Sequence, residues 1–388
     1  MFTLIKNAEI YAPEFLGEKS VLLCNETIAW IGEDFTAEKT LPDLKIIDAS
    51  GMYLIPGFVD GHVHIVGGGG EGGAATRTPE LCLSDMIRGG VTTVIGVIGT
   101  DDVTRNMGNL IAKANGLVAE GVSAWVMTGS YQLPIKTFCG GIREDIVIID
   151  RIIGVGEIAI SDHRSSQPTF EEFMRSASAA RVGGMLSDKG GIVNVHLGDG
   201  KNGIDYLFRA AETEIPLSQF VPTHMNRNPS LFEEARRYAS IGGYIDLTTS
   251  TIPLFLEEGE VKCSKALKIF IDDGISSSQI SFSSDGQGSM PMFDTVGNFT
   301  KLTIGHVTSN HTEFVDSVKI EGISLEDAVR VTSTTTADHY KLPKKGHIKK
   351  YFDADLLLLD KELNINYVFA RGKMMMEKGK VLAKGTFE

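Results

Sequence analysis

Residues 57–64 read GFVDGHVH, a short apolar run ending in two histidines separated by one residue. Side chains alternate between the two faces of a strand, so His62 and His64 project to the same side, as a site built from two imidazoles requires. Toward the C-terminus, seven further apolar, β-rich runs follow at 91–97, 124–128, 155–160, 192–196, 220–224, 244–248 and 280–284, spaced by amphipathic helical stretches. Eight such runs with helical spacers predict an α/β protein with a parallel sheet buried on both faces, and the count matches a (β/α)8 TIM-like barrel.

In such a barrel, active-site residues gather at the carboxyl ends of the strands. His62 and His64 close the first run, His196 the fifth (IVNVHLGDG) and His224 the sixth (FVPTHMNRN), while Asp285 follows the eighth (ISFSSDG). A single buried histidine is ordinarily a satisfied core residue. Strand ends that bring four histidines and an aspartate to one mouth point instead to a metal centre. His163, in the loop ISDHRS, is expected behind that centre; His306, His311, His339 and His347 are expected on the surface or in packing.

Upstream, residues 1–55 hold short strand-like segments at 2–5, 21–24, 27–31 and 45–48, separated by turn residues. The last residues are similar, with segments at 355–359, 365–370 and 373–377 around Arg371-Gly372. Neither piece can bury a core alone. The expectation is a small β-sandwich domain built from both chain ends, 1–55 with 345–388, around a barrel over 56–344.

The chain has 388 residues, with 37 Lys and Arg against 50 Asp and Glu, a formal charge of −13. That balance argues against nucleic acid as a partner. Cys24, Cys82, Cys139 and Cys263 are far apart and form no C-x-x-C pair, so they are expected as buried free thiols in a reducing compartment. The start, MFTLIKNAEIYAPEF, lacks the layout of a signal peptide, and no apolar run is long enough to span a bilayer. A cytoplasmic protein without a membrane partner is expected.

The H-x-H, the two single histidines and the aspartate resemble the amidohydrolase superfamily. More narrowly, the chain resembles the isoaspartyl dipeptidases (β-aspartyl peptidases), through GFVDGHVHIVGGGGEGG, TRTPE, TGSYQLP, AISDHRS, PTHMNRN and SSDGQGS, and through GHIKKYFDADLLLLD and ARGK near the end. The resemblance implies a small dipeptide substrate, two divalent metal ions, Zn2+ by analogy, a homo-oligomer (an octamer in the family), and attack by a metal-bridging hydroxide. His62 and His64 would hold one ion, His196 and His224 the other, with Asp285 on the first ion and acting as general base and acid.

One departure stands out. The family's fourth strand supplies a carboxylated lysine that bridges the metals, but residues 152–161, IIGVGEIAIS, contain no lysine. Counting back from Ser161-Asp162-His163-Arg164 puts Glu157 in its place, with one extra residue upstream. A glutamate also offers two anionic oxygens, yet its arm is shorter, so a bulge is expected to bring the backbone inward. The alternative is a glutamate in an ion pair beside a single metal.

The run 67–70 lacks the Gly-Lys-Ser/Thr of a phosphate loop, and Glu71 would repel phosphate. By resemblance, Gly69 contacts the α-carboxylate of the aspartyl residue through its N–H and Glu71 its free amino group, with Thr100 and Ser289 beside them. Arg164 and Arg227, read alone, are ordinary solvated arginines; by resemblance they grip the carboxylate of the leaving residue. Tyr131, otherwise a packed aromatic, would donate to the scissile carbonyl. Competing readings keep the metals for a cyclic amide (a dihydroorotase or hydantoinase) or an N-acyl amino acid, or make the chain an inactive structural homologue.

Overall fold

Ile152–Ile160 is buried at every position, the condition of a parallel strand covered on both faces. The computed structural model describes residues 2–293, 296 and 299–388. Met1 of the expected β domain and positions 294, 295, 297 and 298 of the expected barrel lie outside the described residues. The eight apolar runs form β1 (Phe58–Val63), β2 (Val91–Gly96), β3 (Ser123–Thr128), β4 (Ile152–Ile160), β5 (Ile192–Leu197), β6 (Phe220–Thr223), β7 (Ile245–Thr248) and β8 (Ile280–Ser283). β1 to β6 pair in chain order as one parallel sheet, and β7 pairs with β8.

The ladder is not closed, but hydrogen bonds cross both seams. Met225 N donates to Asp246 O (3.3 Å) between β6 and β7, and Asp285 N donates to His62 O (3.1 Å) between β8 and β1. The buried Asp60 carboxylate ties the second seam from the side, accepting from Ser284 N at 3.0 Å and Asn310 Nδ2 at 2.9 Å. The sheet therefore curls until its last strand returns to its first.

Period-two alternation divides the strand residues between two cores. Val59, Ile95, Met127, Ile153, Ile192 and Val221 pack inside the curl with Tyr244 and Tyr340. Their neighbours Val94, Val126, Ile152, Val193 and Phe220 pack outward against helices through Leu110, Ala114, Phe173 and Ala177. The inner cluster fills the floor, so the space for chemistry lies above it, at the strand ends.

Helices begin directly after the loops of that face. Thr169 and Glu172 form a capping box on Phe170–Ser187, and Asn228 caps Pro229–Ser240 with Pro229 in the first turn. Each cap holds the upstream loop, carrying Arg164 in one case and Arg227 in the other, close to a fixed helix start. No helix among the described residues is long and apolar enough to cross a membrane.

The chain ends join in one nine-stranded sheet in which Leu356–Leu359 runs antiparallel to Tyr53–Pro56. The strands there are longer than the apolar patches that signal them: the first extends over Phe2–Tyr11 and the second over Phe15–Cys24. The Arg371-Gly372 turn has φ values of 46° and 71°. A Cβ on Gly372 would lie 1.8 Å from Asn25 O, so only glycine fits there. One expectation fails. Only Cys263 is buried; Cys82 and Cys139 are exposed and Cys24 intermediate, although all four are free. In addition, a hairpin after β8, Ser289–Phe293 with Phe299–Ile304, has no counterpart among the expected strands, because its half-exposed residues carry no sustained apolar run.

Candidate metal centre and surrounding site

Six side chains converge above the inner core. Glu157, fully buried on β4, presents Oε2 at 3.2 Å from His62 Nε2, 3.2 Å from His196 Nδ1 and 3.9 Å from His224 Nε2, and Oε1 at 3.3 Å from His64 Nε2. Asp285 Oδ1 lies 3.1 Å from His64 Nε2 and 3.8 Å from His62 Nε2. His224 and Asp285 hold φ of 67° and 52°, a left-handed conformation that non-glycine residues adopt at a cost and that clusters at functional sites.

Glu157 reaches the centre through a bulge. Val193 pairs with Val155 and Val195 with Ile158, so two steps on β5 face three on β4. Gly156 adopts φ +137°, and a Cβ on it would stand 2.4 Å from Asn194 O. The extra residue thus sits where a short carboxylate arm needs the backbone brought forward.

The imidazoles are held from behind. Asn194 Oδ1 lies 3.1 Å from His62 Nδ1, Thr248 Oγ1 2.8 Å from His224 Nδ1, and Asp162 Oδ2 2.9 Å from His196 Nε2. Outer partners of this kind fix the ring orientation and tautomer of a ligating histidine. Gly99 leaves room for the cluster, because a Cβ there would lie 2.8 Å from His64 Cε1.

Burial pushes the Glu157 carboxyl up, but the His62 charge and the imidazoles of His196, His224 and His62 beside it outweigh that and hold the group well below the usual carboxylate range. Burial likewise lowers His62, yet Glu157 and Asp285 raise it to about 9. A nest that draws a proton onto a buried imidazole is one that calls for positive charge. His62 Nε2, Glu157 Oε1 and Asp285 Oδ1 are buried without a hydrogen-bond partner.

Ligand atoms of His62, His64 and Asp285 all lie within 4.8 Å of one another, as do those of His62, Glu157 and His224. The nitrogen and oxygen donors therefore fit divalent cations. His196 joins neither triad and meets the cluster through Glu157.

The other expected site residues surround one small cavity. His64, Gly69, Glu71, Thr100, Tyr131, Arg164, His196, Arg227, Asp285 and Ser289 line it together. Glu71 Oε1 accepts from Ser289 Oγ at 2.9 Å and Thr100 Oγ1 at 3.3 Å, and lies 3.3 Å from Arg164 Nη1. Tyr131 Oη is 2.8 Å from His196 Nδ1. Arg227 Nη2 is 3.7 Å from Asp285 Oδ2. Both arginines are mostly covered, with side chains 14% and 25% exposed, unlike solvated surface groups.

His163 is exposed and lines the outer space; its neighbour Asp162 makes the contact to His196. Asn194, Thr248 and Asp162, which contact the imidazoles from behind, are not among the residues that sequence reasoning singled out. Asn194 carried a signal, since it lies two residues before His196 on the same face of β5. Thr248 carried one too, as the terminal residue of β7.

The sequence profile of the amidohydrolase family matches residues 53–375. Among solved structures, the chain is similar to a β-aspartyl dipeptidase from Fervidobacterium islandicum AW-1 in complex with β-Asp-Leu dipeptide. They share 45% identity over 98% of each chain, with a TM-score of 0.91. It also shares its fold with a D-hydantoinase at 20% identity, over 100% of this chain and 98% of that one, TM-score 0.68. A dihydroorotase from Staphylococcus epidermidis is 35% identical over 100 residues, 26% of this chain and 22% of the relative, so the match spans under a quarter of that protein.

Proposed function

The chain belongs to the amidohydrolase family, and on that premise we propose that it is a metal-dependent dipeptidase that hydrolyses β-aspartyl (isoaspartyl) dipeptides. The single observation that carries this reading is the grouping of Glu71, Arg164 and Arg227 in one small cavity with His64 and Asp285. Glu71 suits an ammonium group, and the planar guanidinium forks suit a carboxylate. Arg164 now lies beside Glu71 at 3.3 Å, and a substrate with both ends free would exchange that pair for two. The similarity to a β-aspartyl dipeptidase over nearly all of both chains supports the same reading.

His62, His64 and Asp285 would hold one divalent cation and His196 with His224 a second, with Glu157 between them; we take the metal to be zinc. When bound, such cations lower the pKa of water and polarise a carbonyl. Asp285 Oδ is placed to take a proton from the attacking water and return it to the departing amine. Tyr131 Oη would donate to the scissile carbonyl oxygen as charge develops there. Gly69 N–H, Glu71, Thr100 and Ser289 would orient the aspartyl end.

We read residues 1–55 with 345–388 as a small β domain, and 56–344 as the catalytic (β/α)8 barrel. We further propose a cytoplasmic homo-oligomer; four free cysteines suit a reducing compartment.

A hydantoin has neither a free ammonium for Glu71 nor a carboxylate for the arginines, and dihydroorotate has a carboxylate but no ammonium, so both rings fit this cavity less well. Zinc-loaded protein given β-Asp-Leu, α-Asp-Leu, hydantoin and dihydroorotate at equal concentration should turn over β-Asp-Leu at least about a hundredfold faster than the others. Equal or faster hydrolysis of a ring would replace the dipeptidase reading with that of a cyclic amidase.

A further inference from the structure

Beyond Arg164 and Arg227 the site opens into a second, larger space. This cavity, about 560 Å³, includes both arginines in its wall, and its size is that of a ligand pocket rather than a packing defect. Phe255, Met290 and Met292 supply an apolar wall, while Glu258 and Glu260 stand among them. Met290 is buried and Glu258 exposed, so the space runs from a covered inner wall to an acidic rim. Four carboxylates line it, Asp162, Asp199, Glu258 and Glu260, against the guanidiniums of Arg164 and Arg227.

The dipeptidase reading, on which this inference rests, assigns those two guanidiniums to the carboxylate of the leaving residue. The side chain of that residue branches from the carbon bearing the carboxylate, so it must enter space adjoining the clamp. Toward the metal ligands the cavity is small; the adjoining volume lies outward.

We infer that the outer cavity receives the leaving residue's side chain and that its methionine and phenylalanine wall, with Glu258 and Glu260, selects long side chains that are apolar or end in a cation. Lysine and arginine satisfy both features, because their methylene stems cover apolar surface while the charged head stays in a wet, acidic surrounding. Aspartate and glutamate meet like charge and are excluded. Methionines on the wall can repack around stems of different shape.

The test compares β-Asp-Lys, β-Asp-Leu and β-Asp-Glu, each normalised to β-Asp-Gly, in the zinc-loaded protein. Burial pushes the Glu260 carboxyl up to about 7, so assays are run at about pH 8.5, where it is ionised. The expected result is kcat/KM at least about tenfold higher for β-Asp-Lys than for β-Asp-Glu. The Glu258→Gln/Glu260→Gln double variant should bring the two within about threefold, and Phe255→Ala should lower β-Asp-Leu relative to β-Asp-Gly.

Glu258→Gln alone, at an exposed position, should narrow the ratio even if the double variant folds poorly. Hydrolysis of all four dipeptides with a lysine-to-glutamate ratio near one, or a ratio the variants leave unmoved, overturns the subsite. Failure to hydrolyse any of them overturns the dipeptidase reading itself.

Discussion

His196 Nδ1 and Glu157 Oε2 lie 3.2 Å apart, while the other ring nitrogen, Nε2, lies 2.9 Å from the acceptor-only carboxylate of Asp162. Asp162 holds the imidazole proton on Nε2, which turns the Nδ1 lone pair toward the Glu157 oxygen. Tyr131 Oη, 2.8 Å from the same Nδ1, is the donor positioned to meet that lone pair, and a cation beside Glu157 would compete for it. The same Asp162 grips Arg164 with both oxygens, at 3.0 Å to Nε and 2.7 Å to Nη2.

Asp162→Asn therefore loosens two groups at once. Metal affinity should fall about 10- to 100-fold, read by competition with a chelator, and KM for β-Asp-Leu should rise as Arg164 loses its anchor. Unchanged metal affinity would mean that Asp162 serves only the arginine.

Glu157→Gln keeps the shape and removes the charge. Bound metal should drop from two ions per chain to one or none, with turnover falling more than about a hundredfold. Gly156→Ala, whose Cβ would press on Asn194 O at 2.4 Å, should give the same loss of metal by displacing the bulge. Two ions retained in both variants, counted by elemental analysis, would remove Glu157 from the centre.

Arg227, with its side chain a quarter exposed, is the more accessible of the two clamp residues and lies 3.7 Å from Asp285 Oδ2. Arg227→Met should raise KM for β-Asp-Leu about 10- to 100-fold, the scale of a lost charge-assisted contact. It should also abolish the preference for β-Asp-Leu over its C-terminal amide. A preference surviving in the variant would place the carboxylate elsewhere.

Away from the site, His339 stacks on Tyr244 with ring centroids 3.7 Å apart, and burial lowers its pKa to about 4. The unfolded chain takes up this proton near pH 6.5, so between about 6.5 and 4 it binds more protons than the folded chain. The His339 contribution is fully present above pH 6.5 and declines as pH falls through that window, by about 3 kcal/mol in all. Denaturant melts of metal-free protein should show a smaller acid loss for His339→Phe, which keeps the ring stack and cannot titrate. Parallel pH profiles would contradict the assignment.

The eight strands were legible because each is a buried apolar run bounded by helical stretches, and the convergence of His62, His64, His196, His224 and Asp285 because strand ends fall where those runs stop. Glu157 was legible only by counting back from the Ser161-Asp162-His163-Arg164 block; nothing in the local pattern of 152–161 distinguishes a ligand from a core glutamate. Asp162, Asn194 and Thr248 were not read, since the contacts that define them join strands distant in sequence. The hairpin at 289–304 escaped because half-exposed strands leave no strong alternation. The cysteines were misread from composition, which does not report the exposure of an individual side chain.

The central claim is a two-cation centre built around Glu157 that hydrolyses β-aspartyl dipeptides. Its most direct test is titration of metal-stripped protein with zinc while β-Asp-Leu hydrolysis is followed. Activity should rise until two ions are bound per chain and then level off; full activity at one ion, or none on β-Asp-Leu at any loading, would contradict it.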